Sequence, residues 1–191
     1  MRLIEILTDP VTAILRAKKE KNLNKTLLIL ILSWILVGIS SFLFFYRTTI
    51  ILTAFGSSLA IFFFGILFSI LYSYIIDVIV NILGGKGKYY NSLTAVTYSS
   101  LPISVGFLLT SILSFIHPIL GIILGFITIA ITTALSLSIY FRAIKEFYST
   151  DMLITFVGFL IVLYVFMIAA YVSMGLSMGY TVFENFPMKL M

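Results

Sequence analysis

Few residues in this chain are of a type that does chemistry. Ser73, Asp77 and Asn81 recur every four residues in an otherwise apolar stretch, so they share one helix face. Asp77 is the one acid inside a predicted span away from its flanks. An ionisable group in hydrocarbon is costly enough to mark a functional position. Two chemistries fit. One is an ion or proton site in a small transporter or channel subunit. The other is interhelical glue near the membrane surface, with Asp77 paired to Lys86, Lys88 or Arg142. A proton path or cation cage needs several acids or converging carbonyls. The sequence offers no second intramembrane acid, so glue is the preferred reading.

Gly84-Gly85-Lys86-Gly87-Lys88 has the look of a phosphate loop without its spacing. No Ser or Thr follows the lysine and no strand precedes it. The glycines suit a tight turn, and the lysines suit lipid phosphate. His117 is the single histidine and there is no cysteine. One histidine with no nearby acid or thiol makes neither a metal site nor a triad. Beside Pro118, it reads as an exposed turn residue. No cofactor, no metal and no enzymatic activity are expected.

The elements that position these residues follow from composition. The chain has 191 residues, 61% apolar and only 10% charged. Ordinary soluble domains run about 45–50% apolar and about 25% charged. A soluble domain of this length has too little interior to hide that much apolar surface. A soluble enzyme, a disordered chain and a nucleic-acid binder are therefore excluded. The fold class expected is an all-α integral membrane protein. Residues 1–25 are mixed and charged, unlike a secretory signal.

A helix needs about 20 apolar residues to cross a hydrocarbon core about 30 Å thick. Thr26–Tyr46 is uncharged and gives one span. Thr48–Leu83 carries only Asp77. As one helix it would be about 54 Å long, too long for a simple span and too short for two with a turn. It reads as one long or kinked helix whose last third leaves the hydrocarbon. Tyr89–Phe141 carries no formal charge and would be about 80 Å as one helix. It must fold back, and His117-Pro118 near its middle is where proline breaks the helix. Met152–Tyr171 supplies a fifth span.

The cations test this count. Five spans put the N-terminal segment, the loop around Gly84–Asn91 and a loop over Arg142–Asp151 on one side, with Arg2, Arg16, Lys18, Lys19, Lys21, Lys25, Lys86, Lys88, Arg142 and Lys145. Of the 12 Lys and Arg residues, only Arg47 and Lys189 then remain on the other. That asymmetry predicts a multi-pass protein of the cell membrane, N-terminus cytoplasmic and C-terminus outside. The organisation expected is a basic lead-in over 1–25, a five-helix membrane domain over 26–180 and a short tail over 181–191. In the lead-in, Asp9-Pro10 reads as an N-cap and first helical position. Val11, Ile14 and Leu15 then face one way, and Arg16, Lys18, Lys19 and Lys21 do not. This is a short amphipathic helix suited to an anionic leaflet, or a plain orienting flank. Gly121 with Gly125, and Gly175 with Gly179, have the spacing for close helix packing, preferentially within one chain.

The run Gly84 to Leu93, followed by Tyr98-Ser99-Ser100-Leu101-Pro102, resembles the hallmark of the Yip (Ypt-interacting protein) membrane domain. Pro10 near the start, five predicted spans, the glycine loop after the second and Leu101-Pro102 in the third fit the same family. Arg142-Ala143-Ile144-Lys145 fits it loosely. The similarity covers roughly residues 7–175 and makes Gly84, Gly85, Gly87 and Pro102 the family-motif positions. It implies a membrane protein of the short prokaryotic type. Eukaryotic relatives are tied to Rab-type GTPases and vesicle traffic through a long cytoplasmic N-terminal region. With only about 25 residues there, that binding is not carried over to this chain.

The function expected is binding or organising, not catalysis. Lys18, Lys19, Lys21, Lys86, Lys88, Arg142 and Lys145 form the candidate face for anionic headgroups. A protein partner or homo-oligomer stays open; nucleic acid is not expected.

Overall fold

A computed structural model describes residues 3–47, 49–164 and 167. The described residues form helices only: α1 (Leu3–Thr8), α2 (Pro10–Glu20), α3 (Leu23–Tyr46), α4 (Ile51–Ile82), α5 (Tyr89–Ile116), α6 (Pro118–Tyr148) and α7 (Met152–Tyr164). Four of these, α3 to α6, are long and apolar enough to cross a membrane. Over its described residues α7 is apolar and about 20 Å long at the helical rise, against about 30 Å of hydrocarbon. The fifth span expected over Met152–Tyr171 extends through 165–166 and 168–171, which lie outside the described residues, as does the Gly175–Gly179 pair.

Local chemistry explains the boundaries. Asp9 caps α2: its Oδ1 accepts from the Thr12 amide at 3.2 Å and its Oδ2 from the Thr12 hydroxyl at 2.6 Å, with Pro10 at the first helical position. These two donors hold the Asp9 carboxyl below the usual carboxylate range. Asn22 caps α3 through the Lys25 amide at 3.1 Å. The Lys25 ammonium bonded to Glu20 lowers that carboxyl as well. α4 runs unbroken from Ile51 to Ile82, the single long helix expected. α5 continues through Pro102 and ends at Ile116; His117 alone, extended and exposed, joins it to α6.

Two expectations need correction. The stretch Arg142–Asp151 is not a loop. α6 carries on to Tyr148, because Tyr140, Ala143, Ile144, Phe147 and Tyr148 repeat at helical spacing and are all buried. In α2 the inward face is Ala13, Ile14 and Ala17, while Val11 and Leu15 stay 39% and 40% exposed. The neighbours select that face: α2 packs against α6 and α5, and small alanines allow the close approach.

Packing differs along the bundle. α5 and α6 meet through small residues. A Cβ added to Gly106 would fall 2.2 Å from Thr132, one at Gly125 2.5 Å from Thr110, and one at Gly121 2.2 Å from Ser114. Gly121 and Gly125 therefore serve packing within the chain. α3 and α4 meet where Trp34 lies over Gly65 and donates to the Ser69 hydroxyl at 2.9 Å. α7 seats Gly158 against Ile79, Val80 and Leu83, and packs Phe159 against Tyr140 and Phe141.

Candidate functional site

The glycine loop and Asp77 meet in one place, at the end of the bundle that carries most of the cations. The residue that joins them is Tyr148, the last of α6 and 0% exposed. Its hydroxyl donates to the Asp77 carboxylate and lies 3.4 Å from the Lys88 carbonyl. Its own carbonyl accepts from the Lys86 amide at 3.1 Å. Its ring lies under the loop, so that a Cβ on Gly87 would fall 2.2 Å from it and one on Gly85 3.1 Å. Gly84, at φ +96, makes the turn out of α4 in a conformation that favours glycine. Its amide and that of Gly85 bond back to the Asn81 and Val80 carbonyls at 3.1 and 2.9 Å. Asn91, in the first turn of α5, donates to the Phe147 carbonyl at 3.2 Å. The loop is thus clasped to α4, α5 and α6 at once.

The polar stripe divides. Asn81 donates to Asp77 Oδ1 at 3.1 Å and belongs to this clasp. Ser73 is buried one turn away, and its hydroxyl donates to the Ser69 carbonyl of its own helix at 2.6 Å. Asp77 is held by Tyr148 and Asn81; Arg142, suggested as its ion pair, joins Glu146 instead at 3.5 Å. Among the described residues no ion pair joins Asp77 to Lys86 or Lys88. Pro102 is buried within α5, apart from the loop.

The seven candidate cations fall into two groups. Lys18 donates to the Glu146 carbonyl in the last turn of α6 and sits 3.9 Å from the Glu146 carboxylate. Lys18 and Arg142 thus share Glu146 and tie α2 to α6, with Lys18 at a helix C-terminus, where a cation is favoured. Lys19, Lys21, Lys86, Lys88 and Lys145 are exposed, and among the described residues no carboxylate pairs with them.

Tyr148 is missed by the sequence reading, which makes Arg142–Asp151 a loop. The signal was present: Tyr140, Ile144 and Tyr148 stand four apart, which continues the helix past its charges.

The sequence matches the family model described as the Yip1 domain over residues 4–174. No curated protein and no solved structure matches it. The match takes in the loop, the clasp and all four long apolar helices, and the chain belongs to the Yip1 domain family of membrane proteins.

Proposed function

We propose that this Yip1-domain protein is a non-enzymatic, five-span protein of the cell membrane, N-terminus cytoplasmic, that gathers anionic headgroups at its basic end. The observation carrying this reading is the division of the cations. Lys18 and Arg142 are engaged by Glu146, while Lys19, Lys21, Lys86, Lys88 and Lys145 stand exposed at that end with no carboxylate partner among the described residues. Lysines close to an anionic leaflet are worth about 1 kcal/mol each. The clasp keeps Lys86 and Lys88 on a fixed backbone, so less ordering entropy is lost when a phosphate binds. The family assignment is consistent with this reading and names no ligand.

The experiment is native mass spectrometry of the full chain released from mixed membranes, counting retained lipids. The wild type should retain anionic phospholipid over zwitterionic lipid, and a variant with the five exposed lysines changed to glutamine should lose that preference. Equal retention by both proteins refutes the lipid reading. An acidic protein captured by wild type and not by the variant would replace it. Reporter fusions at the two ends test the topology: signals from opposite compartments are expected, and signals from one compartment reject an odd number of spans.

A further inference from the structure

Most hydroxyls in this bundle are satisfied by their own helix. Those of Ser41, Ser58, Ser73, Ser104 and Thr132 each donate to the carbonyl four residues earlier, the usual arrangement for Ser and Thr in helices. Ser33 and Thr97 depart from it. Both are 0% exposed, and neither hydroxyl has a hydrogen-bond partner among the described residues.

The two belong to one column. Thr26, Ser33 and Ser40 stand seven residues apart on α3 and are all buried. At one end the Thr26 hydroxyl meets those of Thr94 and Tyr90 at 3.3 and 3.4 Å. At the other, Ser40 meets the Ser111 hydroxyl at 2.6 Å and the Phe107 carbonyl at 3.0 Å. α3 and α5 therefore run parallel: Thr26 meets α5 residues 64 and 68 further on, and Ser40 meets residues 67 and 71 further on. A register between these sets Ser33 opposite Leu101, one turn from Thr97 and next to Pro102. The outer rungs of this ladder close by direct contact, and the middle rung does not. A hydroxyl left without a partner in an apolar interior is costly. A water molecule is worth burying when two or more polar groups hold it, and waters serve this purpose beside prolines in membrane helices.

We propose that the middle rung is a water-binding site: one water molecule bridges the Ser33 and Thr97 hydroxyls between α3 and α5. The rung presents neutral hydroxyls and no charge, which suits water better than an ion. The site is independent of the basic face.

The test is a map of the full chain in lipid nanodiscs at a resolution that shows ordered water, together with thermal midpoints of Ser33→Ala, Thr97→Val and the double variant. A density peak within hydrogen-bond reach of both hydroxyls is expected. Each single variant should lower the midpoint, and the double variant should lower it by less than the sum, because the first change already releases the shared water. Ser58→Ala, whose hydroxyl bonds its own helix, is the reference and should change the midpoint less. A dry gap between the two side chains overturns the proposal, and so does a Thr97→Val midpoint above that of the wild type.

Discussion

The two ends of the bundle are held together by different physics. At the basic end, large side chains close a core: Ile76 and Val80 of α4, Val96 and Tyr98 of α5, Ile144, Phe147 and Tyr148 of α6 are all buried. At the far end the same helices expose Phe55, Phe63, Ile116, Ile122 and Phe126. A groove of about 490 Å³ between α3 and α4, lined by Ile39, Phe42, Phe55 and Leu59 among others, lies there too. Lipid tails are as apolar as leucine, so hydrocarbon does not drive helices together; close packing of small residues must do so. The α5–α6 glycines do this in the far half. α4, α5 and α6 are about 42–48 Å long at the helical rise, against about 30 Å of hydrocarbon. A helix takes up such an excess by tilting or by standing out among headgroups and water, where burying apolar surface is again favourable. The aromatic core, the clasp and the exposed lysines all lie at the basic end.

The contrast can be broken most directly at Tyr148. Tyr148→Ala removes a fully buried ring and should cost about 3–5 kcal/mol, seen as a large drop in thermal midpoint and protease cleavage within residues 84–88. Gly87→Ala should cost about 1–3 kcal/mol by overpacking against the same ring. Gly56, in the far half, has nothing within 4 Å of an added Cβ. Gly56→Ala should therefore stabilise, by up to about 1 kcal/mol from helix propensity. Opposite signs for the two glycine variants sharpen the comparison; equal signs would erase it.

Arg47 is the far end's counterpart of Lys18. It donates to the Ser114 and Phe115 carbonyls and lies 5.1 Å from the Phe115 ring centroid. Arg47→Gln should cost about 0.3–1 kcal/mol, with faster amide exchange confined to the end of α5.

The smallest effect is expected at Asp9. Its carboxyl is lowered by the Thr12 hydroxyl and amide. Its contribution is therefore present above the unfolded-state value and is lost as pH falls through the lower, folded one. An NMR titration of the Thr12 amide should show α2 fraying only below the ordinary carboxylate range, and Asp9→Ala should abolish that step.

The sequence made the helices legible and the clasp only half so. Uncharged stretches marked α3 to α6, and His117-Pro118 marked the turn between the last two, because hydrocarbon tolerates few charges and proline cannot continue a helix. The loop glycines and Asp77 were visible as types. Their union was not, since it depends on Tyr148 arriving from 71 residues away. Arg142, Lys145 and Glu146 suggested a loop because charge resembles an interface. α6 carries those charges on its outward side and keeps its apolar face turned inward beyond them.

The bond from Lys18 to the Glu146 carbonyl spans 128 residues. At about 5–20 residues per second, the ribosome makes that acceptor roughly 6–25 s after the lysine. During this interval α1 and α2 have emerged but lack their seat, while each later helix is threaded into the bilayer. The N-terminal helices must wait at the surface until the end of α6 has been made.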